Sequence, residues 1–181
     1  MSGVGRVIVG TSGSPGSLQA LRYGERLARA HDAVLIPVLA WDLPGGNYAE
    51  RVQPSGELRL VWRNLACHQL RDALLAVWGE APNDPLLQPH IERGRPGWVL
   101  VNLACRPGDV LVVGAGRRGV LARMAFSKVS RYCLAHAQCP VLAIPPPALA
   151  SELAPSRRAW VFWHRPLTAE QILRDQPKPA A

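Results

Sequence analysis

Residues 110–147, VLVVGAGRRGVLARMAFSKVSRYCLAHAQCPVLAIPPP, limit the fold of this chain more than any other stretch. The run 110–113 (VLVV) is apolar throughout and rich in β-branched side chains, the pattern of a strand buried on both faces. A glycine turn, Gly114-Ala115-Gly116-Arg117-Arg118-Gly119, follows at once. Next comes a segment with helical spacing (Val129, Tyr132, Cys133), then a second apolar run, Val141 to Ile144, closed by prolines. Strand, glycine turn, helix and strand make a parallel crossover unit. Its turn lies where backbone N–H groups and a helix N-terminus can receive an anion.

The chain upstream repeats that alternation. Residues 6–10 (RVIVG) form another continuous apolar run, turned by Thr11-Ser12-Gly13-Ser14-Pro15. Ser14 can cap a helix that has Pro15 at its first position and runs to about His31. Residues 33–41 (AVLIPVLAW) read as the second strand, and Pro37 inside it calls for a bulge or a free edge nearby. The stretch 42–56 is rich in Gly and Pro, a loop of the length that often serves as a lid or linker. Residues 57–79 give an amphipathic helix with Leu58, Val61, Trp62, Leu65, Leu70, Ala73, Leu74 and Val77 on or near one stripe. Residues 87–92 are a weak third strand at an edge, and a further helix starts near Pro96. The resulting β-α-β-α-β-α-β-α-β order predicts a mostly parallel sheet with helices on both faces. Ligands of such sheets sit beyond the strand C-termini, where the strand order reverses. The turns 10–14 and 114–119 have the right chemistry, and face one crevice if the first and fourth strands are neighbours.

Composition excludes several classes. A hydrophobic fraction of 48% suits a packed core in a chain of 181 residues. No apolar run approaches the roughly 20 residues that span a bilayer. The N-terminus enters a strand directly without a signal-peptide layout, so a cytoplasmic protein is expected. The net charge is +8, from 21 basic and 13 acidic residues. It is mostly arginine, without long like-charge runs or aromatic-basic interleaving, so nucleic acid is not the expected partner. Cys67, Cys105, Cys133 and Cys139 follow no zinc or redox spacing and read as buried thiols. His68 beside Cys67 points to a different face of its helix, so no metal site is expected there.

Two blocks, VIVGTSGSPGSLQALRYGERLA at the start and VLVVGAGRRGVLARMAFSKVSRYCLAHAQCPVLAIP at the end, resemble the opening and closing segments of the universal stress protein family. The resemblance covers residues about 4–146. It implies an α/β fold with a five-stranded open parallel sheet of order 3-2-1-4-5 over residues 1–147. It also implies a homodimer, paired through Val141–Ile144; pairing through the tail, which lies outside the resemblance, is the alternative. A subset of the family binds ATP, using an aspartate after the first strand and a Gly-x-x-Gly-nine residues-Gly-Ser/Thr pattern after the fourth. Here Ser12 stands at the aspartate position. Gly114 matches the first glycine, Arg117 replaces the second, Ser127 the later glycine and Lys128 the hydroxyl residue. Val129 and Ser130 match the next two residues of the family pattern. The candidate nucleotide-binding set is therefore Gly10, Thr11, Ser12, Ala40, Gly114, Arg117, Ser127, Lys128, Val129 and Ser130. A frame using Gly116 and Gly119 would shift the downstream spacing.

Serine for aspartate weakens a charge-assisted bond to ribose by about 1–2 kcal/mol, and Ser127 adds a side chain where phosphate should approach. Arg117, Arg118, Arg123, Lys128 and Arg131 either hold phosphate through side chains or form a solvated helix face. The expected function is a stress-response protein of binding and regulatory type with an altered crevice for ATP or another adenine nucleotide. A slow nucleotide hydrolase and a purely structural dimer are the alternatives. Ser12, Ser14 and Ser17 have no accompanying histidine, and no catalytic residue or metal ligand is assigned. Residues 148–181 fall outside the resemblance: a linker to Arg158, the aromatic strand 159–164 (AWVFWH), a short helix from Thr168 and a disordered end. The aromatic strand should dock on this domain or on a partner copy. Protein clients are not legible.

Overall fold

The computed structural model describes residues 3–44, 55–80, 84–116 and 128–147. The elements are β1 (Arg6–Gly10), α1 (Pro15–Ala30), β2 (Val34–Trp41), α2 (Gly56–Trp78), β3 (His90–Arg93), α3 (Pro96–Leu103), β4 (Asp109–Gly114), α4 (Lys128–His136) and β5 (Val141–Ile144). All five strands run parallel in the order β3-β2-β1-β4-β5, the order the family resemblance implies. The tail strand 159–164, the helix from Thr168 and most of the loop 42–56 lie outside the described residues.

Side-chain alternation assigns the two faces. Val7, Val9, Leu35, Val110 and Val112 point to one side, where Ala20, Leu21 and Ala28 of α1 cover them and Leu74 and Val77 of α2 join. Leu39 on the same side meets Ala66 and Leu70 of α2. Ile8, Ile36, Val38, Leu111 and Val113 point to the other side, against Val99 and Leu100 of α3 and Cys133 of α4. Burial on both faces is why these strands read as unbroken apolar runs.

Pro37 resolves differently from the free edge or bulge its presence calls for. β2 is an interior strand, and Pro37 is fully buried opposite Val9 of β1. Leu35 donates its N–H to the Leu86 carbonyl and accepts from the Gln88 N–H, so alternate residues from Leu35 face β3. The missing N–H of Pro37 therefore falls on the β3 side. There the ladder is interrupted, between the Leu35–Leu87 bridge and the pair Val38–His90. The sheet places its gap where the donor is absent.

Local chemistry sets the helix ends. Ser14 caps α1 by accepting the Ser17 N–H, with Pro15 in the first turn. Ser55 caps α2 by accepting from Leu58, and Gly79 ends it in the left-handed region at φ 77°, donating to the Leu75 carbonyl.

At the N-terminal edge a buried ion pair joins β1 to β4. Arg6 donates Nε to Asp109 Oδ1 at 2.8 Å and Nη2 to Oδ2 at 2.6 Å, and also reaches the Leu103 carbonyl at 3.0 Å. The Arg106 N–H adds a bond to Oδ2 at 2.8 Å. The Asp109 side chain is 1% exposed and that of Arg6 17%. Burial alone would push the Asp109 carboxyl up, but the Arg6 hydrogen bonds, the Arg106 N–H and the guanidinium charge together hold it below its ordinary value. The stabilisation is therefore present above the ordinary carboxylate range and is lost as pH falls through the lower folded value. Asp109→Asn leaves the guanidinium facing a neutral amide and is expected to cost about 3–5 kcal/mol in denaturant titrations at neutral pH. The gap to the unmodified protein should narrow as both are taken below about pH 4; a gap that widens in acid would contradict the assignment.

Candidate functional site

The turns after β1 and β4 open at one mouth because their strands are neighbours, with Val9 opposite Val112. Gly114 ends β4 directly against the first turn of α1. A Cβ placed there would lie 2.9 Å from the Gly16 carbonyl carbon and oxygen and 3.1 Å from the Ser17 nitrogen. Only glycine lets the backbones approach so closely. The Gly114 carbonyl then accepts the hydroxyl of the fully buried Ser130, at 2.6 Å. The Ala115 N–H continues the edge to the Ile144 carbonyl of β5 at 2.7 Å.

The β1 turn is held by hydroxyls and one amide. Buried Thr11 gives its N–H to the Val38 carbonyl at 2.8 Å. The Ser12 N–H donates to Ser17 Oγ at 3.2 Å, and the Ser12 and Ser14 hydroxyls share a hydrogen bond at 3.0 Å. Ser17 Oγ donates to the Ser14 carbonyl at 2.9 Å. From α2, Gln69 Nε2 donates to the Ser12 carbonyl at 3.0 Å. The turn is thus lined by neutral donors and acceptors, suited to orienting a polar ligand through hydrogen bonds. Asp42, just beyond β2, is engaged elsewhere: its Oδ1 accepts the Leu43 N–H at 2.8 Å and faces Arg93 at 3.4 Å.

Of the candidate set, Gly10, Thr11, Ser12, Gly114 and Ser130 come together here. Lys128 opens α4 and is exposed, while Val129 packs on the α3/α4 core. Ala40 lies on β2, two residues beyond the partner of Gly10, and packs on that same face. Arg117 and Ser127, with Arg118 and Arg123, lie outside the described residues. Sequence reasoning missed Gln69 and gave Ser17 no role in the turn; a polar residue on a long amphipathic helix gives no local signal for a contact 57 positions away.

Among the described residues, no group of three or more His, Cys, Asp or Glu is placed to hold a metal ion. Nor is any helix among them long and apolar enough to cross a membrane. The cysteines divide. Cys133 is buried and Cys139 partly so, whereas Cys67 and Cys105 are exposed, which corrects the expectation of four buried thiols. Burial pushes the Cys133 thiol up to about 11 and raises that of Cys139 as well.

The strand order reverses between β1 and β4, and in open parallel α/β sheets that switch point is where ligands bind. A model of the universal stress protein family matches residues 3–145, and the chain belongs to that family. Universal stress protein UspA from Lactobacillus plantarum is 22% identical, covering 80% of this chain and 99% of that one, with a TM-score of 0.60. The hypothetical protein MJ0577 is 16% identical over 80% and 97% of the two chains, at a TM-score of 0.61. A universal stress protein solved in complex with cAMP is 25% identical over 79% and 98%, at 0.49. Among curated proteins, none matches.

Gly114→Ala is expected to cost about 1–3 kcal/mol through overpacking against backbone. Ser130→Ala should cost a similar amount by removing a buried donor, and chemical denaturation reads both. Brief alkylation in mildly alkaline solution, read by mass spectrometry, should label Cys67 and Cys105 and spare Cys133. Early labelling of Cys133 would contradict its packing.

Proposed function

We propose that the chain is a non-catalytic, cytoplasmic stress-response protein of binding and regulatory type. Its crevice keeps the family's adenine-nucleotide outline but holds ATP weakly. The observation that carries this reading is the Ser12 network. Where the family's ATP-binding subset is expected to present a carboxylate, this chain presents a hydroxyl shared with Ser14, on a turn fastened by Ser17 and Gln69. A ribose there would meet a neutral partner already engaged, in place of a charge-assisted bond. Lys128 in place of the family's hydroxyl residue, and Arg117 and Ser127 in place of glycines, remove further parts of the expected phosphate cradle.

We also propose that the protein works as a homodimer. β5 ends the sheet order with one side unpaired by the strands of this sheet, and its four residues are partly exposed. Such an edge is open to strand pairing by a second copy.

Calorimetric titration with Mg-ATP tests the first proposal. The unmodified protein should bind no tighter than about 1 mM. The triple variant Ser12→Asp/Ser127→Gly/Lys128→Ser should bind at least about tenfold tighter, roughly 1.4 kcal/mol. No ADP should form on long incubation with magnesium. Micromolar binding by the unmodified protein would overturn the reading.

A further inference from the structure

The N-terminal half of α2 has no place on the sheet. Ala66 and Leu70 pack against Leu39 near the end of β2, and Gln69 reaches Ser12 just beyond the end of β1. Since α2 runs back against the strand direction, Gly56 to Leu65 rise past the C-terminal edge of the sheet. At 1.5 Å per residue this is roughly 15 Å of helix. Leu58 and Trp62 continue, at four-residue spacing, the stripe that Ala66, Leu70 and Ala73 bury below. Val61 and Leu65 flank it. Yet Leu58 is 43% exposed, Leu60 58% and Leu65 36%. None of Leu58, Leu60, Val61, Trp62 or Leu65 joins a core cluster among the described residues.

The chain itself supplies a matching segment. Pro146 lies 4.0 Å from the position a Cβ would take on Gly16, so the chain leaves β5 at the first turn of α1. That is the same rim, on the same side of the sheet, as the Gln69–Ser12 contact. Beyond Pro147, residues 148–158 extend up to about 36 Å at 3.3 Å per residue. This is ample to cross from α1 to its neighbour α2, given interaxial distances of about 8–10 Å. At the end of that reach stand Trp160, Val161, Phe162 and Trp163, each aromatic ring carrying about 150–250 Å² to bury. Of the other exposed large apolar side chains among the described residues, Trp98, Tyr132 and Leu134 belong to α3 and α4 on the far face of the sheet, Tyr23 to α1 and Leu86 to the segment before β3.

We infer that residues 159–164 dock, within the same chain, on the projecting half of α2, over Leu58, Leu60, Val61, Trp62 and Leu65. The tail covers the apolar helix end, and the helix end covers the tail's aromatic side chains. Both elements then stand beside the mouth formed by the β1 and β4 turns.

Amide hydrogen exchange on the full chain tests this reciprocally. In the variant Trp160→Ser/Phe162→Ser/Trp163→Ser, exchange across residues 60–65 should rise at least about tenfold, with the strand amides unchanged. In the variant Leu58→Gln/Leu60→Gln, which keeps the aromatic cluster, protection across 159–164 should be lost. Unchanged exchange across 60–65 in the tail variant would overturn the inference. So would protection of 60–65 that disappears on dilution together with a fall in mass, which assigns the face to a second copy.

Discussion

The backbone contact between Gly114 and the first turn of α1 leaves no room for a side chain, and the geometry of the C-terminal edge follows from it. With a Cβ only 2.9 Å from the Gly16 carbonyl, β4 would have to withdraw from α1. The Gly114 carbonyl would then leave Ser130, and the two turns that define the mouth would part. The contact sits at one end of the β1/β4 pair. At the other end Arg6 and Asp109 join the same strands through two charge-assisted bonds in a site where Asp109 has almost no access to water. Between them the strand pair is apolar and covered on both faces. The crevice is therefore built on a strand pair held at both of its ends.

The β1 turn carries a hydroxyl where the family pattern leads one to expect a carboxylate. Hydroxyls and one carboxamide fix the β1 turn, and the bonds run among the protein's own groups. A ligand entering here would have to replace or extend those bonds, and the gain over a turn already satisfied is small. That balance is the physical ground of the proposed weak ATP binding.

The sequence made some of this legible and withheld the rest for physical reasons. The strands 6–10 and 110–113 and the cap at Ser14 are local signals, and all three hold. The strand order is not a local property and came through the family resemblance. Pro37 was misleading because the rule about proline in sheets concerns the donor side. A strand in the interior tolerates proline where its neighbour's ladder is already interrupted. The stripe on α2 holds only in its C-terminal half, where Leu70 and Ala73 are buried and Leu74 and Val77 pack on the core, since periodicity cannot say where the sheet beneath it ends. The Arg6–Asp109 pair was missed although a trace existed: two buried strands each open on a charge, and the charges are opposite. Gln69 left no trace, since its partner is a backbone carbonyl.

The central claim is that the end of β4 lies directly against the first turn of α1, which brings the turns after β1 and β4 to one mouth. The most direct measurement is a nuclear Overhauser spectrum of the labelled protein, read between the Gly114 α-protons and the Ser17 amide proton. A strong cross-peak is expected, since only through-space contact produces one between residues so distant in the chain. Its absence, with cross-strand peaks between Val9 and Val112 also missing, would contradict the account.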